Sequence, residues 1–190
     1  YVVKDMRFWL GGVSYTLSGF AVMVPMTFSK AYANLELGVN VAEATSLFSI
    51  IGFSGIPAAL LLPIISDKIG RKISIVICNS ALAAGLIGSA LLSASFIDLA
   101  LWGVVIGVGY STIWPLYAAL VKDLYSWSVA GSVTGLWTLL CGIGLLLSPY
   151  LSGLLIDHAA SYKPAYIMGF VIALASISLI SKIKFRTLNA

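Results

Sequence analysis

The sequence has 190 residues, of which 60% are hydrophobic and 9% charged, and its mean hydropathy is +1.03. A soluble domain has about 25% charged residues, so too few polar side chains remain here to cover a water-facing surface, which excludes a soluble globular enzyme and a disordered tail. The pI is 9.1, but the eleven Lys and Arg residues form no basic stripe, which excludes a nucleic-acid-binding module. We predict an integral membrane protein that lies in a lipid bilayer.

Long uncharged runs organise the chain. A helix rises about 1.5 Å per residue and needs roughly 20 residues to cross the hydrocarbon core. Five runs fit one helix each, whereas the run over 124–156 is too long for one helix and too short for two. We therefore predict a single all-α domain over 1–190 with six transmembrane helices, at about 8–30, 44–65, 73–96, 99–121, 129–156 and 164–181.

The basic residues predict the orientation. An even number of spans places both termini on one side, and that side then carries all of the Lys and Arg residues except Lys30 and Lys163. Such an excess is typical of the cytoplasmic side, so we expect a plasma-membrane protein with both termini in the cytoplasm. The chain begins at Tyr1 rather than Met, and we expect it to be processed or excised from a longer chain.

The most specific string joins the second and third spans. It contains Asp67, Lys68, Gly70, Arg71 and Lys72 within six residues. Here the glycine permits a turn with positive φ, the carboxylate can lie at the positive end of a helix, and the bases reach the headgroup layer. The alternative role is a plain topology clamp that obeys the positive-inside rule.

This string resembles the signature loop of the major facilitator superfamily. Glycine and proline patterns in later spans are similar to the carboxyl-terminal half of such a transporter: Gly103-x3-Gly107-x-Gly109, Gly142-Ile-Gly144 and Ser148-Pro149-x3-Gly153. The resemblance implies half of a twelve-helix fold, arranged as a three-plus-three inverted repeat. It also implies an amino-terminal six-helix half as partner, a small-molecule substrate, and a gating loop whose charges contact that other half.

Two shorter strings are similar to the monocarboxylate and oxalate/formate branch. These are Arg7-Phe-Trp9, at the start of span 1, and Gly135-Leu-Trp137 in span 5. Members of the branch have an Arg where this chain has Ala59, and some have a Lys in span 5, which this chain lacks. Because a buried carboxylate needs a cation, either the other half supplies it or the substrate is not a simple carboxylate.

Spans 1 and 4 carry stripes at helical spacing, and Pro25 and Pro115 interrupt them at comparable depths, as expected of an inverted repeat. The resemblance implies that these two spans line the substrate cavity. Helix packing is the alternative role of such stripes. The candidate substrate-binding residues are Tyr15, Ser18, Tyr110, Trp114 and Tyr117.

The sequence predicts neither a protease site nor a metal-dependent active site. An intramembrane serine protease would pair Ser54 with the one histidine, His158, but about 16 Å of membrane depth separates them. Cys78 and Cys141 are isolated, so we expect no metal site and no cofactor. We predict a secondary active transporter of a small organic solute, and a monocarboxylate is one candidate for that solute. The alternative is a stand-alone six-helix scaffold or receptor subunit that dimerises.

Overall fold

The computed structural model describes residues 2–183. Within that range it has no strand and six long helices, which confirms the all-α prediction. A short 3-10 turn, Val2–Lys4, precedes the first helix, and a π-helical turn, Tyr32–Glu36, continues it. The helices are α1 (Met6–Ala31), α2 (Val41–Ile69), α3 (Arg71–Leu92), α4 (Phe96–Leu124), α5 (Trp127–Ala159) and α6 (Lys163–Ser181).

All six helices are long and apolar enough to cross a membrane. The shortest, α6, has 19 residues, and at 1.5 Å per residue it is about 28 Å long. Local signals define where helices begin. The Asn40 side chain accepts a hydrogen bond from the backbone of Glu43 at 2.9 Å, Ser95 and Asp98 form a capping box before α4, and Pro164 lies in the first turn of α6.

The helices pack in a pattern that repeats with inversion. Helix α1 packs most extensively on α5 and α6, helix α4 packs on α2 and α3, and α3 packs on α6. Exchanging the first three helices with the last three converts the α1–α5 pair into α4–α2 and the α1–α6 pair into α4–α3, and it leaves the α3–α6 pair unchanged. Because three is odd, the second triplet crosses in the opposite direction. The chain is therefore a three-plus-three inverted repeat.

Small residues allow the two equivalent crossings, α2 with α4 and α1 with α5, to be close. A Cβ added to Gly107 would overlap the backbone oxygen of Ile51 in α2, and one added to Gly144 would overlap that of Thr16 in α1. Side chains also cross the α1–α5 contact. Trp137, which is 1% exposed, packs on Gly11 and Gly12 of α1.

The helices differ strongly in burial. Helix α1 is the most buried of the six, because α5 and α6 pack along it and α2, α3 and α4 also contact it. Helices α2 and α5 are mainly exposed, with large apolar side chains such as Phe53 (71% exposed) and Leu146 (79% exposed). These two helices therefore offer free surface to lipid or to another protein segment.

Candidate functional site

Three of the five predicted substrate-binding residues form one aromatic cluster. The ring of Tyr15 in α1 stacks on that of Tyr117 in α4, with centroids 4.5 Å apart and an interplanar angle of 16°. The rings of Trp114 and Tyr15 meet edge to face, with centroids 5.8 Å apart. Tyr110 lies one helical turn before Trp114 and is half-buried, without an aromatic partner among residues 2–183.

Two of the five candidates, Ser18 and Tyr117, contribute their hydroxyl groups to the interior. Ser18 and Tyr117 are both completely buried, and each hydrogen-bonds to other buried side chains. Together they belong to a group from four helices, which we call the hydroxyl network. Its members are Ser14 and Ser18 in α1, Asn79 in α3, Tyr117 in α4 and Ser176 in α6, and all of them are 0% exposed.

Sequence reasoning missed three members of this network: Ser14, Asn79 and Ser176. A serine in an apolar helix commonly bonds to its own backbone, so its presence alone predicts no partner. One signal was available. Ser14 and Ser18 are four residues apart and therefore share a helix face, which marks a polar strip on the most buried helix. Nothing in the sequence identifies Asn79 and Ser176 as the partners of that strip.

The predicted gating loop has the expected backbone geometry. Gly70 has φ 96°, which confirms the predicted positive-φ turn, and it separates the end of α2 from the start of α3. Arg71 bonds to the carboxylate of Asp67, to the hydroxyl of Ser66 and to the backbone oxygen of Pro63, the last at 2.9 Å. One arginine therefore closes the turn that joins the two helices.

Arg71 also extends the loop toward a third helix. Its Nε lies 3.7 Å from a carboxylate oxygen of Asp123, near the end of α4. Lys72 donates a hydrogen bond of 3.0 Å to the backbone oxygen of Ile183, just after α6, and Lys68 is exposed. The Asp67 side chain remains 61% exposed, so it is accessible to a further partner.

A second ion pair lies at the start of α1. The Arg7 side chain and backbone both donate to Asp5, and the closest contact is 2.7 Å. These bonds from Arg7 hold the pKa of the Asp5 carboxyl below its usual value of 3.8. Tyr125 lies nearby, with its ring centroid 6.0 Å from the Arg7 guanidinium, and burial raises the pKa of this tyrosine to about 12.

The residues considered for protease chemistry bond within their own helices. The hydroxyl of Ser54 donates to the backbone oxygen of Ile51 at 3.0 Å, and Nδ1 of His158 lies 2.7 Å from the backbone oxygen of Leu154. Cys78 and Cys141 are both buried free thiols. Within residues 2–183, no group of three or more His, Cys, Asp or Glu residues could hold a metal ion.

A family model and a sequence relative agree on the family of this chain. Residues 11–187 match the family model of the Major Facilitator Superfamily. Monocarboxylate transporter 6 of Mus musculus is 29% identical over 177 residues, which are 87% of this chain and 36% of that transporter. The chain thus spans well under half of the length of that relative.

Solved structures show the same fold. The proton:xylose symporter XylE bound to 6-bromo-6-deoxy-D-glucose matches with a TM-score of 0.79 at 15% identity, over 97% of this chain and 45% of that one. The human organic anion transporter MFSD10 matches with a TM-score of 0.64 at 18% identity, over 92% of this chain and 46% of that one. At these identities the likeness concerns the fold.

Proposed function

The chain belongs to the major facilitator superfamily, and we propose that it is the carboxyl-terminal six-helix half of a secondary transporter that moves a small organic solute by alternating access. Members of this superfamily are multi-pass membrane transporters rather than enzymes. The length supports the half role, since the chain covers 45% of the xylose symporter and 36% of the monocarboxylate transporter.

The observation that carries the pairing of two halves is a row of glycines on α5, which we call the glycine stripe. It consists of Gly131, Gly135, Gly142 and Gly153, and no described residue comes within 4 Å of a Cβ placed at any of them. Glycine in a membrane helix favours close approach of a neighbouring backbone. We infer that a helix of the amino-terminal half packs there.

The aromatic cluster supports a substrate site on the side that faces the other half. Tyr15 and Trp114 belong to α1 and α4, the helices that become equivalent under the inverted repeat, and both can contact a solute at the pseudosymmetry axis. Tyr110 extends this surface along α4. We propose that these three rings contact the solute and that the halves rock around them.

The gating loop would bias which side is open. Arg71 ties α2, α3 and α4 together at one membrane face, and the largely exposed Asp67 can add a contact to the other half. Such a contact would exist in only one of the two rocking states, so its energy would favour that state. By the excess of basic residues we assign this face, and both termini, to the cytoplasmic side of a plasma membrane.

Two observations bear on the charge of the substrate. The similarity to a monocarboxylate transporter favours a carboxylate, but Ala59 leaves this chain without the cation that a buried carboxylate needs. A monocarboxylate would therefore require a cation from the other half. A neutral solute would require none, since aromatic rings and a phenol hydroxyl bind sugar-like molecules without charge.

The test is uptake by the complete native protein in proteoliposomes, with L-lactate and D-xylose as probes, each with and without a pH gradient. Lactate uptake that follows the gradient would support proton-coupled carboxylate transport. Xylose uptake alone would support a neutral solute. If folded, correctly oriented protein took up neither probe nor a wider panel of sugars and amino acids, the transporter proposal would fail in favour of a dimerising scaffold.

A further inference from the structure

We propose that the hydroxyl network is a positioning device for the substrate site, and that the phenol oxygen of Tyr15 is the polar group that the network presents to the solute. The inference rests on the proposed function. It divides the five predicted residues into two roles, because Ser18 and Tyr117 act through Tyr15, and it adds Ser14, Asn79 and Ser176 to the residues on which substrate affinity depends.

The first step is the anchoring of Tyr117. Its hydroxyl lies 2.6 Å from Oγ of Ser14, 3.1 Å from Oγ of Ser18 and 3.3 Å from Oγ of Ser176. The serines are linked in turn: Ser14 and Ser18 lie 2.9 Å and 2.8 Å from Ser176. A side chain of α4 is therefore fixed to both α1 and α6 through one oxygen atom.

The second step is the closure of the network. Ser18 lies 2.8 Å from the amide oxygen of Asn79, whose nitrogen donates to the backbone of Ile75 at 3.1 Å. Every polar side-chain atom of the network has a partner. Because a polar group without a partner is costly in a membrane interior, the members of the network cannot turn toward a solute without losing favourable hydrogen bonds.

The third step transmits this order to the site. The anchored ring of Tyr117 stacks nearly parallel on the ring of Tyr15, with centroids 4.5 Å apart, and the rings of Trp114 and Tyr15 meet edge to face. The ring plane of Tyr15 is thus set by a neighbour that cannot rotate. Ser176 belongs to α6 and reaches Tyr15 through Tyr117, which makes it a positioning residue.

The fourth step concerns the phenol oxygen of Tyr15, which is not part of the hydroxyl network. Tyr15 is 6% exposed, and its hydroxyl makes no hydrogen bond with any residue in the described range 2–183. Enclosed side-chain oxygens without a partner occur at Ser89, Ser93, Tyr125 and Ser152, and Tyr15 is not among them. Its hydroxyl therefore reaches accessible surface, where it can bind a hydroxyl or carboxylate oxygen of a solute.

The experiment is a double-mutant cycle on the complete native protein, with initial rates of L-lactate and D-xylose uptake read as KM and Vmax. Tyr15→Phe removes the phenol oxygen and should raise KM about tenfold, the loss of one hydrogen bond. Ser176→Ala should raise KM about threefold by loosening Tyr117. In the Tyr15→Phe background, Ser176→Ala should have no further effect on KM, because there is no presented oxygen left to position.

Ser178→Ala is the matched control, since Ser178 lies on the same helix, is exposed and bonds only to the backbone of Leu174; its KM should equal that of the native protein. Should Ser176→Ala fail to accumulate, Ser18→Ala takes its place, with Tyr117 still bonded to Ser14. The inference is wrong if the two substitutions act independently, so that their KM effects multiply, or if Ser176→Ala changes only thermal stability and Vmax. Lack of uptake by the native protein would instead count against the proposed function.

Discussion

Helix α5 has two faces rich in small residues, and only one of them is packed. On the packed face, Gly144 lies against the backbone of α1, Ser148 donates a hydrogen bond of 2.8 Å to the backbone oxygen of Phe20, and Trp137 donates one of 3.0 Å to that of Phe8. On the other face, the glycine stripe meets no described residue within 4 Å. Glycine thus lies against a neighbouring helix on one face of α5 and faces open space on the other.

The difference shows that a glycine pattern predicts a close contact without saying which surface provides it. Gly142 and Gly144 lie two residues apart in the family-like string Gly142-Ile-Gly144. At about 100° per residue they point in directions roughly 200° apart. One of them completes the interior of this domain, and we assign the other to an interface with a second domain. Substitutions on the two faces should therefore have different consequences.

The largest effect is expected for Gly144→Leu. The new side chain would overlap the backbone of Thr16, which cannot move without separating α1 from α5. We expect a loss of about 3 kcal/mol or more in the free energy of unfolding, as for severe overpacking. Thermal unfolding of the purified protein in detergent measures it. An unchanged melting temperature would contradict the close α1–α5 crossing.

The next effect is expected for Gly135→Leu, at the opposite face. The leucine would meet open space within this domain, so thermal stability of the six-helix unit should not fall. In the complete transporter the leucine would separate the proposed halves, and we expect uptake to fall at least tenfold. That fall corresponds to a loss of more than about 1.4 kcal/mol in the interaction between the halves. Gly135→Ala is the matched control, because it keeps the residue small. Normal uptake by Gly135→Leu would assign the stripe to lipid.

The sequence predicts the helices better than their ends. Charges mark the membrane boundary, whereas a helix continues until its backbone is capped, so the π-helical turn extends α1 to Glu36, and α5 runs from Trp127 to Ala159. Gly70 and Pro164 were predictable because their backbone chemistry is local. The proposed pairing across the membrane, by contrast, depends on a surface outside this chain.

The candidate site was predictable in part. Helical spacing placed Trp114 and Tyr117 on one face of α4, because residues three and four apart share a face, and the family resemblance implied that α1, which carries Tyr15, lines the same cavity. Spacing could not indicate that the face of Tyr117 turns its hydroxyl toward α1 and α6. Which serine satisfies it follows from the packing of four helices, and that long-range contact has no local signature.

A moderate effect on the packed face is expected for Trp137→Phe. The substitution removes the hydrogen bond to Phe8 and leaves a void beside Gly11 and Gly12, so unfolding should become easier by about 2 kcal/mol. Trp127→Phe is the control, since Trp127 is 85% exposed at the start of α5. Equal melting temperatures for the two variants would contradict a stabilising role of Trp137 in the α1–α5 contact.

The smallest effect is expected where α1 is tied to α6 rather than to α5. The Glu36 carboxylate accepts hydrogen bonds from the backbone of Tyr162 at 2.8 Å and from the hydroxyl of Ser161 at 3.0 Å, at the start of α6. Glu36→Gln removes the charge at the positive helix end and should lower the free energy of unfolding by about 0.5 kcal/mol. Asp157→Asn, an exposed acid without a hydrogen bond or ion pair within the described chain, should leave it unchanged. A larger loss for Glu36→Gln than for Trp137→Phe would mean that α1 depends more on this polar tie than on its packed contact with α5.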